Sequence, residues 1–206
     1  MNELSITAKH VLIRGPEKSG KTSLAFGLAI ESANKGENVI FICNKTKIEA
    51  NFPLLLQSQA LRGLANIQMK YLVSLQDLKL LCMGINKSHG SLPATIVVED
   101  LSSIIDPLNA VSRHDQTFLE KSLQAVYYIQ DMVVYIENHL GKKVFLIVTD
   151  ICLDSSFMLI LNRMIQSILV LNKTSEDSVT TSLQESVKEP NRLTPVANLL
   201  KRGQIM

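Results

Sequence analysis

Residues 11–22 read Val-Leu-Ile-Arg-Gly-Pro-Glu-Lys-Ser-Gly-Lys-Thr, a short apolar run passing directly into glycine, four residues, glycine, lysine and threonine. Few patterns restrict a fold as much. The apolar run has the length and branching of a buried strand, and residues 23–33 beyond it form helix readily, which places the glycines on a strand-to-helix turn. Gly15 and Gly20 permit backbone conformations that other residues resist, so successive N–H groups can point inward at an anion. A helix starting near Lys21 adds the positive end of its dipole. These residue types in this order form a cradle for a polyphosphate. Gly15, Pro16, Glu17, Lys18, Ser19, Gly20, Lys21, Thr22 and Ser23 are the expected cofactor-binding residues. Lys21 would reach the β- and γ-phosphates of ATP, and the Thr22 hydroxyl would ligate Mg2+.

A site of this kind needs a carboxylate at a nearby strand end to hold the magnesium, usually through water. Thr95-Ile96-Val97-Val98-Glu99-Asp100 supplies a pair. Position after the apolar run favours Glu99, whereas the shorter Asp100 is the more usual residue type. The expected metal-side residues are therefore Thr22, Glu99 and Asp100, and the expected catalytic pair is Lys21 with Glu99.

Further strand-like runs, at 10–14, 38–43, 95–98, 144–149 and 167–171, are separated by longer stretches of helical character. Nearly continuous apolar strands suit a parallel sheet covered on both faces, and strand alternating with helix predicts a doubly wound α/β fold. Ser74-Leu-Gln-Asp77 and Thr117-Phe-Leu-Glu120 read as helix-starting capping boxes. Beyond the first, Leu75, Leu78, Cys82 and Ile85 form one helical stripe, and 118–140 reads as a long helix. At 206 residues the chain suits a single domain, residues 1–206. Residues 173–206 turn polar and Ser/Thr-rich and read as a loop-rich edge with one or two antiparallel strands, 196–200 and 204–206 being apolar again. The fold expected is an α/β P-loop NTPase with a mainly parallel sheet flanked by helices.

Composition removes several classes. A formal charge of +2 is too small to argue for nucleic acid by itself. Cys43, Cys82 and Cys152 are odd in number and lie in apolar segments, which fits neither a disulfide framework nor a zinc site. Met1 to His10 has no apolar core of a secretory leader, and the apolar stretch 158–171 is interrupted by Asn162, Arg163 and Gln166, so no membrane partner is expected. A guanine-reading motif is missing, because Asn44-Lys45-Thr46-Lys47 and Asn172-Lys173-Thr174-Ser175 lack its aspartate. A small-molecule phosphotransferase would bring clustered arginines to a second phosphate, and here they are spread from Arg14 to Arg202. That class is the alternative.

The order of landmarks resembles the RecA recombinase core: phosphate loop, the 39–43 strand, a long helix-rich stretch, the acid-ended strand, then 144–149. More narrowly it is similar to the small RecA-like ATPase subunits of the animal Shu complex, recombinase paralogues that associate with a SWIM-domain zinc protein. That resemblance rests on 11–29, on 39–41, on Ile67-Gln-Met-Lys-Tyr71 followed by Leu78-Lys-Leu-Leu-Cys82, on 96–105, and on Arg202-Gly-Gln-Ile-Met206. It implies a nuclear ATP-binding accessory of homologous recombination, acting in a heteromer with the SWIM-domain protein to promote assembly of RecA-family recombinase on single-stranded DNA. The Elongator-type RecA-like subunits of tRNA modification give a similar strand order and are a further alternative.

The chain departs from an active recombinase in several places. The glutamate that orients attacking water after the second core strand is replaced by Asn44 and Lys45, with Glu49 further on, so hydrolysis should be weak. The sensor glutamine is likewise not evident at Thr149-Asp150. The segment 150–161 corresponds to a DNA-binding loop but carries Asp150 and Asp154 and only apolar or neutral residues beside them, a poor match for phosphates; Arg113 and His114 are better placed. Phe26-Gly-Leu-Ala29 spells a recombinase self-association motif, yet inside the phosphate-loop helix it reads as core packing. The apolar stretch 157–171 reads equally as core or as an adhesive patch for a partner.

Overall fold

The computed structural model describes residues 9–50, 61–85, 91–107, 115–151, 155–175 and 178–185. Arg113, His114, Cys152, Asp154 and the apolar segments 196–200 and 204–206 lie outside them. Seven strands form one sheet: β1 (His10–Arg14), β2 (Val39–Cys43), β3 (Ile67–Tyr71), β4 (Thr95–Val98), β5 (Phe145–Asp150), β6 (Ser167–Ser175) and β7 (Ser178–Glu185), in the spatial order β3-β2-β4-β5-β1-β6-β7. The first six are parallel, and β7 returns antiparallel along β6. Helices cover both faces, so the chain is α/β with a mainly parallel sheet flanked by helices.

Alternate residues of each strand serve opposite faces, which is why the strands are apolar throughout. Val11, Ile13, Val39, Phe41, Val97, Ile147 and Leu169 pack with helix α1 (Lys21–Asn34) and with Ile48 of α2 (Lys45–Ala50). Leu12, Ile40, Ile42, Ile96, Val98, Leu146 and Val148 pack on the other face, beneath α3 (Leu75–Gly84), α4 (Leu101–Ile105), α5 (Gln116–Leu140) and α6 (Ser155–Leu161). Phe26 of α1 meets Phe41 edge to face, with centroids 5.4 Å apart, and Ala29 is fully buried, so the Phe26–Ala29 pattern is core.

Several expectations need correction. Ile67–Tyr71 lies in the stretch read as helix-rich, yet it is a strand pairing in parallel with β2. The long helix starts two residues before the expected box: Asp115 is its cap, Oδ1 accepting the Thr117 N–H at 2.7 Å. Asp reaches back across one turn fragment without needing the partner glutamate, and this sets the start. The Ser74 cap is as expected, with the Asp77 N–H on Ser74 Oγ at 3.2 Å. The boundary drawn at Lys173 falls inside β6, because the β6–β7 hairpin continues the sheet. The stretch 157–171 is core: Phe157, Leu161, Met164, Ile165, Ile168, Leu169 and Leu171 are buried, while Leu159 is exposed. It therefore offers no adhesive patch as a whole.

Phe26→Ala opens a cavity between α1 and β2 and is expected to cost about 3–5 kcal/mol of folding stability, read from denaturant midpoints. An unchanged midpoint would show that Phe26 is not a packing residue.

Candidate nucleotide-binding site

The carboxyl ends of β1, β2, β4 and β5 open on one edge of the sheet, the place where open α/β sheets carry their crevices. Register sets this level: Ile13 stands beside Thr149, Val98 beside Val148, and Ile42 beside Val98. A cleft of about 520 Å³ lies there, lined by Glu17 to Ser23, Lys47, Ile48, Glu99, Asp100 and Ile151. Of the expected cofactor-binding residues, Glu17, Lys18, Ser19, Gly20, Lys21, Thr22 and Ser23 line it directly, while Gly15 and Pro16 form the loop's base.

The loop backbone has the curl that an anion nest requires. Lys18 and Gly20 both adopt left-handed conformations, φ 57° and φ 86°, on either side of Ser19. At Gly20 this conformation suits the residue that lacks a side chain. Gly15 is needed for a different reason: a methyl group there would stand 2.6 Å from the Leu171 carbonyl oxygen and 2.8 Å from Ser19 Oγ. Helix α1 begins at Lys21 with Gly20 as its cap, and its first turn holds no acidic residue.

Lys21 folds back over the loop, its Nζ donating to the carbonyls of Gly15 at 2.8 Å and Pro16 at 2.6 Å. Burial pushes the ammonium's pKa down, against the pull of Asp100, Asp150, Glu99 and Glu17. Thr22 Oγ1 donates to Glu99 Oε1 at 2.9 Å. The hydroxyl expected to ligate magnesium and the acid favoured by position therefore meet directly. Glu99 is 8% exposed and its Oε2 has no hydrogen-bond partner. Burial raises its pKa, Asp100 adds to the rise, and the Thr22 hydroxyl, Lys47 and Lys21 act the other way. A buried carboxylate with a bare oxygen beside a hydroxyl is a donor set that fits Mg2+, directly or through water. Among the described residues no group of three His, Cys, Asp or Glu side chains is placed to hold a metal alone.

Asp100 plays a different part. Its φ of 51° is left-handed, a strained setting for a residue with a side chain. The end of β5 holds it there: the Asp100 N–H donates to Thr149 Oγ1 at 2.8 Å, and the Asp150 carboxylate accepts the Ser102 N–H at 2.9 Å and the Ser102 hydroxyl at 2.6 Å. Thr149 and Asp150 thus clamp the acid turn. At the end of β2, Asn44 Oδ1 accepts the Lys47 N–H at 3.2 Å, and Lys45 lies over the Tyr71 ring and pairs with Glu49 at 3.8 Å. Glu49 does not line the cleft. Lys47, which no motif marks, does line it and pairs with Asp100 at 2.5 Å.

Cys43 and Cys82 are free and buried, and burial pushes both thiols up to about 12, so neither is a nucleophile or a disulfide partner at neutral pH. No described helix is long and apolar enough to cross a membrane. No protein-family model matches the chain, and no curated protein matches it closely enough to place it in a family.

The folded chain keeps Glu99 protonated to a higher pH than an unfolded chain does. Its burial therefore opposes folding little below the ordinary value of 4.5, progressively more as pH rises from there toward the raised folded-state value, and by a constant amount above it. Glu99→Gln is expected to melt with the wild type at ~pH 4 and a few degrees above it at ~pH 8, at roughly 2–4 °C per kcal/mol. A variant less stable than the wild type at the higher pH would contradict this.

Proposed function

We propose that the chain is a P-loop NTPase with a RecA-like core that binds ATP with Mg2+, hydrolyses it weakly, and serves homologous recombination as an accessory subunit. The observation that carries the nucleotide reading is the convergence in one cleft of the curled loop, the Lys21 ammonium and the Thr22–Glu99 pair, from segments far apart in the chain. Insertion of β5 between β1 and β4 supports the RecA-like core, because it sets a third strand end, Thr149-Asp150, between the loop and the acid. In such a core the loop N–H groups and Lys21 would hold the phosphates, and Thr22 with Glu99 would hold magnesium, which would neutralise part of their charge.

Weak turnover follows from the end of β2. General-base catalysis needs a group within hydrogen-bond reach of the attacking water. Asn44 caps α2, Lys45 stacks on Tyr71, and Glu49 is spent on Lys45 at the surface. The nucleotide then acts mainly as a structural or switching ligand. A neighbouring subunit can complete such a site with a cation, which fits a heteromer with a SWIM-domain protein that loads a RecA-family recombinase on single-stranded DNA in the nucleus. This role rests on the sequence resemblance, whose segment 67–71 forms the complete edge strand β3. A phosphotransferase is less favoured, since no arginine lines the cleft among the described residues.

Calorimetry with Mg·ATP tests the nucleotide reading: Lys21→Ala should weaken binding about 100-fold, the loss of a charge-assisted contact worth ~1.5–3 kcal/mol. Equal affinity in both proteins would refute it. Steady-state turnover should fall well below ~1 s−1, and co-expression with SWIM-domain proteins should yield one stable heteromer by light scattering. A well-behaved monomer indifferent to every such partner would return the phosphotransferase to first place.

A further inference from the structure

Two of the lysines that line the cleft rest on acceptors of the chain itself. Lys21 donates to the Gly15 and Pro16 carbonyls, and Lys47 pairs with Asp100 across 53 residues of sequence. The backbones at the two ends of the Lys47–Asp100 pair are fixed, by Asn44 Oδ1 on the Lys47 N–H and by Thr149 Oγ1 on the Asp100 N–H. The side chains are what can move: Lys47 is 45% exposed, and its ammonium sits at the end of a flexible stem. Lys45, the other lysine of α2, is turned away over Tyr71.

We infer that Lys47 is a second phosphate-contacting cation, paired with Asp100 and released to the terminal phosphate of a nucleoside triphosphate, so that the site favours the triphosphate over the diphosphate. This rests on the nucleotide reading above. Along the sheet edge the order is β2, β4, β5, β1. The loop after β1 cradles the inner phosphates, while Lys47, following β2, approaches from the far side of the acid turn. The Thr22–Glu99 pair would hold magnesium, and Lys47 lines the same cleft from the β2 side. Asp100 would share its charge with a divalent cation held by Glu99, and Lys47, its hold on Asp100 weakened, would turn its ammonium to the phosphate. The position that elsewhere holds a water-orienting glutamate would thus lie beside a cation that reads the terminal phosphate and does not cleave it.

The test measures Mg·ATP and Mg·ADP affinities by calorimetry for the wild type, Lys47→Ala, Lys47→Gln, Lys47→Arg and Lys21→Ala, with melting curves as a check on folding. In Lys47→Ala and Lys47→Gln the ATP-over-ADP preference should fall about tenfold, and Lys47→Arg should restore most of it. If Lys21→Ala abolishes ATP binding while both neutral variants keep the wild-type preference, Lys47 has no such role and the nucleotide reading stands. Equal loss of ATP and ADP in the neutral variants overturns the terminal-phosphate assignment. A wild type that binds neither nucleotide overturns both readings.

Discussion

The hydrogen bond from Thr22 to Glu99 joins segments 77 residues apart, and it depends on β1 and β4 ending level with one another although β5 lies between them. Parallel pairing on both sides of β5 fixes that level. A slip of one residue in either register would exchange the two apolar surfaces of the strand and displace the loop or the acid that follows it. The packing of α1 on one side and α5 on the other therefore aligns the site as well as stabilising the sheet. Contact of Thr95 Oγ1 with Ser32 Oγ at 3.0 Å ties the acid-bearing strand to the loop helix a second time.

Holding those groups in place works against stability. Glu99 is buried with one oxygen unpaired, Ser19 Oγ is buried without a partner, and Asp100 is left-handed. Each opposes folding by an amount on the order of 1–3 kcal/mol. They lie within one cleft, in a chain whose remaining core is apolar and well filled. Such clustering is expected where a ligand supplies the missing partners. The clamp from Thr149 and Asp150 keeps the strained turn from relaxing, and Asp100 offsets the charge of Lys47 at the cleft.

The sequence made the local demands legible. Gly15 to Thr22 and the run ending at Glu99 could be read because a backbone turn and a buried strand each impose residue types at fixed spacing, and the structure gathers them as read. Position favoured Glu99 while residue type favoured Asp100, and only tertiary contacts show the two parts, Glu99 turning to Thr22 and Asp100 to Lys47. Strand β3 was hidden because it is an edge strand with mixed exposure, so Ile67, Met69 and Tyr71 alternate with Gln68 and Lys70 in too short a run to show a period. Lys47 was hidden because nothing local marks a lysine that crosses to another strand end. The start of α5 was misread by two residues, since Asp115 and Thr117 are both good caps and only the backbone shows which one the chain uses.

Hydrogen exchange followed by mass spectrometry, with and without Mg·ATP, bears most directly on the claim that one cleft unites these segments. Binding should slow exchange together in peptides spanning 15–23 and 98–102, which are remote in sequence and adjacent in the fold, with the 45–50 segment responding beside them. Protection confined to the groove of Asn38, Gln68 and Lys70 near α3, or no protection of the loop at saturating nucleotide, would contradict the account.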